Sequence, residues 1–275
     1  MRLLVSAIND GDAELAAVGG ADIIDLKNPV EGPLGAPPPS LIASVRAAVA
    51  PNVPVSVAIG DLPPLPCTAA LAAAGAVAAG ANYVKIGLGA VASQAEAVDL
   101  LQAVRSALRG EHRAAVIAAA YADAPRLGGR ALAPALLPRT ASAAGIDGCL
   151  LDTAIKDGRG LFAWLSPEAV AQLVAQAHAG GLLVALAGGL TEGDLPQALA
   201  SGADIVGVRT AACRGAVRTA PLDPERIRRI RAACGEGSSR RQLTADRQRC
   251  APADACRSSS RSQAAPQGAS GVPRR

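Results

Sequence analysis

Apolar residues recur along this chain in two alternating rhythms. Short runs at 3–7, 23–27, 53–59, 81–87, 114–121, 147–152, 182–187 and 204–209 are rich in Val, Ile and Leu, have the length of strands, and read as buried β-strands. Between them lie longer alanine-rich stretches of helical length: from Asn9-Asp-Gly-Asp12 to Gly19-Gly20, then at about 40–50, 67–79, 92–108, 131–144, 166–178, 192–200 and 224–233. Asn9 and Asp12, Ser40, and Ser166-Pro167 are start signals, and the glycines after several stretches are stop signals. Strand alternating with helix eight times predicts an α/β fold with a parallel sheet, and eight units of this length predict a single closed (βα)8 TIM barrel. A doubly wound sheet is the runner-up, but no GxGxxG follows the first strand.

An internal repeat favours the barrel. Gly20-Ala-Asp, Gly80-Ala-Asn, Gly145-Ile-Asp and Gly202-Ala-Asp each precede a strand, and from Asp22 through Asn82 and Asp147 to Asp204 the spacings are 60, 65 and 57 residues. These are every second strand, as quarter units of a barrel require. Aligning them puts Lys27, Gly87, Asp152 and Arg209 at one level, with Asp25 and Lys85 together two residues earlier.

The run Gly20-Ala-Asp-Ile-Ile-Asp-Leu-Lys-Asn-Pro29 organises the chemistry. With a side-chain period of two, Ile23, Asp25 and Lys27 share one face of the strand and Ile24 and Leu26 the other. A carboxylate and an amine therefore end one face of an apolar strand, which is costly unless they meet each other, water or a ligand.

Composition sharpens this. Of 27 basic residues only Lys27, Lys85 and Lys156 are lysine. Where drift has made arginine the generic cation, the remaining lysines are candidates for work a guanidinium cannot do, such as forming an imine or giving up a proton. All three fall at or just past strand ends, where barrels of this kind carry their active sites. Asp25 and Asp152 point into the same mouth. An amine beside other cations in an apolar barrel has its pKa pushed down, which suits attack on a carbonyl. Each aspartate also reads as a structural partner that neutralises a lysine. Gly188-Gly189 after strand 7 and Arg209 after strand 8 sit where barrels bind phosphate through backbone amides. Tyr121 and Asp123 are weaker candidates. His112 and His178 are expected on helices away from the mouth.

The charge of +4 does not belong to the barrel. From Gly235 on, eight arginines face Glu236, Asp246 and Asp254, a net +5, so residues 1–234 sum to −1. This divides the chain into a catalytic domain at 1–234 and a basic tail at 235–275, expected to be disordered for want of large apolar residues. The tail reads as a solvated extension; its charge would suit an acidic partner, but nucleic-acid binding is not expected. The six cysteines show no CxxC or Cys/His cluster, so neither a metal site nor a cofactor is expected. The first residues are too short for a signal peptide, and the apolar run at 68–81 is too short for a membrane span. A reducing cytoplasm fits, and a homo-oligomer is left open.

Three motifs carry a resemblance. Asp25-Leu-Lys27-Asn-Pro, Tyr83-Val-Lys85-Ile-Gly-Leu and Leu151-Asp152-Thr-Ala-Ile-Lys156-Asp-Gly resemble the (5-formylfuran-3-yl)methyl phosphate synthase family, also called 4-(hydroxymethyl)-2-furancarboxaldehyde-phosphate synthase, of methanofuran biosynthesis. The resemblance spans about residues 1–233. It implies a barrel lyase that joins two molecules of glyceraldehyde 3-phosphate with loss of phosphate and water. It further implies Lys27 as the Schiff-base lysine, Lys85 as proton acceptor, and Asp25, Asp152 and Lys156 as active-site residues. The stretch 209–215 matches the family pattern only loosely. Sequence physics alone leaves a class I aldolase or a phosphosugar isomerase open, and more remotely a non-enzymatic scaffold whose tail binds nucleic acid.

Overall fold

The computed structural model describes residues 1–108 and 114–235. His112 and the tail beyond Gly235 lie outside the described residues. Eight strands, β1 Arg2–Ala7, β2 Ile23–Leu26, β3 Val55–Ala58, β4 Tyr83–Gly87, β5 Ala115–Tyr121, β6 Gly148–Asp152, β7 Leu183–Leu186 and β8 Ile205–Val208, pair in parallel and in chain order. The ring closes where β8 meets β1, with Arg2 opposite Ile205. Helices follow the strands: α1 Asp10–Val18, α2 Pro39–Ala48, α3 Pro66–Ala78, α4 Gln94–Ala107, α5 Leu137–Ala144, α6 Pro167–Ala179, α7 Leu195–Ala200 and α8 Pro224–Ala233. The expected (βα)8 barrel is what the chain forms. None of the described helices is long and apolar enough to cross a membrane.

The period-two reading of β2 holds in three dimensions. Ile24 and Leu26 join the apolar layer between strands and helices, where Ala13, Ala16, Ala69 and Ala73 let helices approach closely. Ile23 belongs instead to a second cluster with Tyr83, Ile117, Leu150 and Ile205, which fills the barrel. Above that plug, the next inward residues are polar: Ser6, Asp25, Ser56, Lys85 and Asp152, all buried. The interior is thus sealed below and lined by polar and charged groups at the carboxyl ends of its strands.

Most helix starts follow their signals. Asn9 accepts a hydrogen bond from the Asp12 amide at the head of α1, and Ser166 caps α6. α4 opens on a capping box between Ser93 and Glu96. Three differ from expectation, each because of proline. Ser40 caps nothing: α2 begins at Pro39, whose fixed φ suits the first helical position. Only Leu137–Ala144 of the helix expected at 131–144 is α-helical, because Pro138 lacks the N–H that would bond back to residue 134; a 3-10 turn, Pro134–Leu136, precedes it. Likewise Glu192–Asp194 is a 3-10 turn and α7 starts at Leu195, with Pro196 in its first turn.

Candidate active site

Asp25, Lys27, Lys85, Asp152, Lys156, Gly188, Gly189 and Arg209 all line one cavity at the carboxyl ends of the strands. β2 supplies Asp25 and ends one residue before Lys27, while β4 supplies Lys85 and β6 Asp152. The loop after β6 carries Lys156, and those after β7 and β8 carry the glycines and Arg209.

Within this ring the amines are not equivalent. Lys85 Nζ forms an ion pair with Asp25 Oδ1, with both side chains buried. Ser6 Oγ donates to the other oxygen of Asp25 at 3.1 Å. Lys156 Nζ donates to Asp152 Oδ1 at 2.9 Å and to the Thr153 carbonyl at 2.5 Å. Lys27, only 6 % exposed, makes no ion pair with any described residue. Burial lowers its pKa to about 8, helped by Lys85 and Lys156 and opposed by the carboxylates of Asp152 and Asp25. Roughly a tenth of Lys27 is therefore free amine at pH 7, far more than for an ordinary lysine. Asp152 shows the converse balance. Burial disfavours its charge, yet Lys156, Lys27 and the Thr153 amide hold its carboxyl below the ordinary value.

Arg209 does not present an open guanidinium to the cavity. Its Nη1 is 2.7 Å from Asp12 Oδ2 and 2.9 Å from the Ser6 carbonyl, so it ties the end of β8 to α1 and β1. Arg218, half-buried on the same loop, lines the cavity beside Gly188 and Gly189 and makes no ion pair with any described residue. It also lines a side cavity with Thr191, Arg159 and Arg226. Sequence reasoning missed Arg218 because one arginine among so many carries no signal. Gly188 and Gly189 have φ of 91° and 63°, a left-handed pair that a side chain would strain. A Cβ on Gly188 would also lie 2.7 Å from the Thr153 amide nitrogen.

The weaker candidates separate. Asp123 is fully buried and accepts from the amides of Ala154 and Ile155 at 2.7 and 2.8 Å, anchoring the loop that presents Lys156. Tyr121 donates its hydroxyl to Asp61 Oδ2 at 2.6 Å. Asp61, in the loop after β3, carried no sequence signal beyond its place after a strand. His178 sits on α6 and meets Asp204, ahead of β8, at 3.0 Å, away from the mouth as expected. Among the described residues no three His, Cys, Asp or Glu side chains converge as metal ligands.

Fold and site together define a (βα)8 barrel with a lysine- and carboxylate-lined cavity at the carboxyl ends of its strands. Residues 3–231 match the sequence model of 4-HFC-P synthase. The (5-formylfuran-3-yl)methyl phosphate synthase of Methanocaldococcus jannaschii is 44 % identical over 236 residues, 85 % of this chain and 100 % of the relative. The enzyme of that name from Methanopyrus kandleri is 45 % identical over 225 residues, covering 79 % and 94 %. The chain belongs to the 4-HFC-P synthase family. Solved structures that share the fold include 3-hexulose-6-phosphate synthase, at 21 % identity and TM-score 0.55, covering 85 % of this chain and 99 % of that one. Phosphoribosyl anthranilate isomerase from Thermus thermophilus is a second, at 20 % identity and TM-score 0.54, covering 85 % and 98 %.

Proposed function

We propose that this chain, with residues 1–234 as the catalytic unit, condenses two molecules of glyceraldehyde 3-phosphate into (5-formylfuran-3-yl)methyl phosphate for methanofuran biosynthesis. One phosphate and two waters are lost, so the reaction balances without an oxidant or reductant. The observation that carries the reading is Lys27: a buried amine with no ion pair to any described residue and its pKa lowered to about 8, in a chain of this family.

Lys27 attacks a triose carbonyl and forms an imine, whose positive nitrogen acidifies the neighbouring carbon. The Lys85–Asp25 couple takes up the proton released there, and the enamine attacks the aldehyde of the second triose. Asp152 and Lys156 form a second proton-transfer couple across the mouth. The amides of Gly188 and Gly189 and the guanidinium of Arg218 hold a phosphate; Arg209 supports them from its pairing with Asp12. The chemistry asks for neither a metal nor an organic cofactor, since the imine is the electron sink.

Incubating the purified protein with glyceraldehyde 3-phosphate tests this. The expected result is a conjugated product absorbing in the near ultraviolet, with one equivalent of phosphate released. A six-carbon sugar bisphosphate as sole product would instead identify an aldolase, and dihydroxyacetone phosphate alone an isomerase.

A further inference from the structure

Asp25 stands between two serines at one level of the barrel, Ser6 on β1 and Ser56 on β3. They are used differently. Ser6 Oγ donates to Asp25. The hydroxyl of Ser56, a residue only 1 % exposed, has no hydrogen-bond partner among the described residues. Two other buried side-chain atoms of the described residues lack a hydrogen bond, and each belongs to a group held by other means. Arg2, whose Nε lacks one, donates through Nη1 to the Tyr83 hydroxyl at 3.2 Å, and Asp25 Oδ1 pairs with Lys85. A buried hydroxyl without a partner destabilises the fold, so it calls for a use. Its surroundings supply one. β3 turns Val55 and Val57 to the outer apolar layer and Ser56 into the cavity that also holds Lys27, Asp25 and Lys85. The Lys85–Asp25 pair joins the strands on either side of β3, so the hydroxyl lies on the strand that this pair spans. The next inward residue of β3, Ala58, carries only a methyl group.

Resting on the reaction proposed above, we propose that the Ser56 hydroxyl hydrogen-bonds the C2 oxygen of the triose held as an imine on Lys27. Once C1 of glyceraldehyde 3-phosphate is joined to Lys27, that triose keeps two polar groups, the C2 hydroxyl and the C3 phosphate. The phosphate carries the charge and goes to the amides of Gly188 and Gly189 and to Arg218, on loops of the β7–β8 side, away from β3. The C2 hydroxyl is neutral, and a serine hydroxyl matches it as donor or acceptor. Fixing that oxygen on β3 turns the C2–H bond toward the Lys85–Asp25 couple. In the step that follows, the C2 proton passes to this couple and the C–H electron pair forms the C1=C2 bond of the enamine. The imine π pair comes to rest on the Lys27 nitrogen. Ser56 exchanges no proton; it fixes which hydrogen is removed. Its hydroxyl is satisfied only when substrate is bound, so the fold carries a small instability in exchange for recognition.

The test compares native protein and Ser56→Ala on two aldehydes, glyceraldehyde 3-phosphate and 3-oxopropyl phosphate, which lacks only the C2 hydroxyl. Borohydride trapping at Lys27, read by mass spectrometry over a range of aldehyde concentrations, gives the half-saturating concentration of each. With glyceraldehyde 3-phosphate, Ser56→Ala is expected to need about tenfold more aldehyde than native, as loss of one hydrogen bond requires. With 3-oxopropyl phosphate the two proteins should agree within about twofold, because the bond is absent from both. The same shift with both aldehydes, or a shift with neither, overturns the proposal. The melting temperature gives an independent reading. Since the hydroxyl has no partner in the fold, Ser56→Ala should melt at or above the native temperature while making furan more slowly. A variant that melts several degrees lower overturns the proposal, because the hydroxyl would then serve the fold. Native protein that traps no imine at Lys27 overturns the reaction itself, and this inference with it. Native trapping that Ser56→Ala matches at every concentration overturns only the inference.

Discussion

Asp25 pairs with Lys85, the lysine of β4, and not with Lys27, two residues along its own strand. Side chains two apart on a strand run side by side toward the mouth, whereas β2 and β4 are alternate strands whose inward residues meet across the barrel. This choice of partner leaves Lys27 as the one lysine with no counter-ion in contact among the described residues.

Lys27→Arg keeps the charge and should abolish turnover, because a guanidinium forms no imine under these conditions. Borohydride with substrate should add mass to the native peptide that contains Lys27 and to no peptide of the variant. Mass on Lys85 or Lys156 in the native protein would reassign the nucleophile.

The rate of imine formation should climb with pH and level off above about 8, where Lys27 becomes free amine. At pH 6 it should be roughly a hundredfold below the plateau. Stability carries the same signature. The folded pKa lies below the unfolded value, so the unfolded chain binds more protons between about 8 and 10.5. Native stability should therefore rise with pH through that window, by on the order of 3 kcal/mol in all. Urea midpoints of native protein and Lys27→Met, compared at pH 7.5 and 10, should show the rise in the first and a weaker one in the second.

Asp25→Asn leaves the Lys85 ammonium buried without its counter-charge and should cost about 3–5 kcal/mol. Joining it with Lys85→Met removes the stranded charge and should recover most of that loss. Chemical denaturation decides; a double variant no more stable than the single would mean that the pair is not the source.

Arg209→Gln and Arg218→Gln should fail in different ways. The first strands buried Asp12 and should lower the melting temperature by many degrees. The second removes an unpaired guanidinium and should raise KM for glyceraldehyde 3-phosphate at nearly unchanged melting temperature. A large KM effect with intact stability in Arg209→Gln would return the phosphate contact to Arg209.

Exhaustive EDTA treatment should leave turnover intact, since the two carboxylates flanking Lys27 are already held by amines. Activity lost to chelation and restored by a stoichiometric metal would move Asp25 and Asp152 from proton transfer to ligation.

The barrel was legible because both rhythms of the pattern are local, and the quarter repeat placed Asp25 and Lys85 at one level before any coordinates. The lysines were legible through their scarcity. Arginine was opaque for the opposite reason: nothing in the chain marks Arg218 as free or Arg209 as bound to Asp12, 197 residues away. The hydrogen bonds of Asp61 were likewise hidden, since its partners Gly89 and Tyr121 lie on a loop and a strand brought near only by the fold. Proline moved helix starts at α2, α5 and α7 where capping rules alone pointed elsewhere.

The scarcity of lysine also changes what an experimenter can see. Apart from the amino terminus, every primary amine of the chain belongs to the mouth: Lys27 and Lys85 are 6 % and 4 % exposed, and the Lys156 side chain is 23 % exposed. Reductive methylation with isotopically labelled formaldehyde would place magnetic-resonance reporters on three side chains, all of them lining one cavity, Lys156 first and the buried two more slowly. Nearly every labelled signal would then report on that cavity and almost none on the surface.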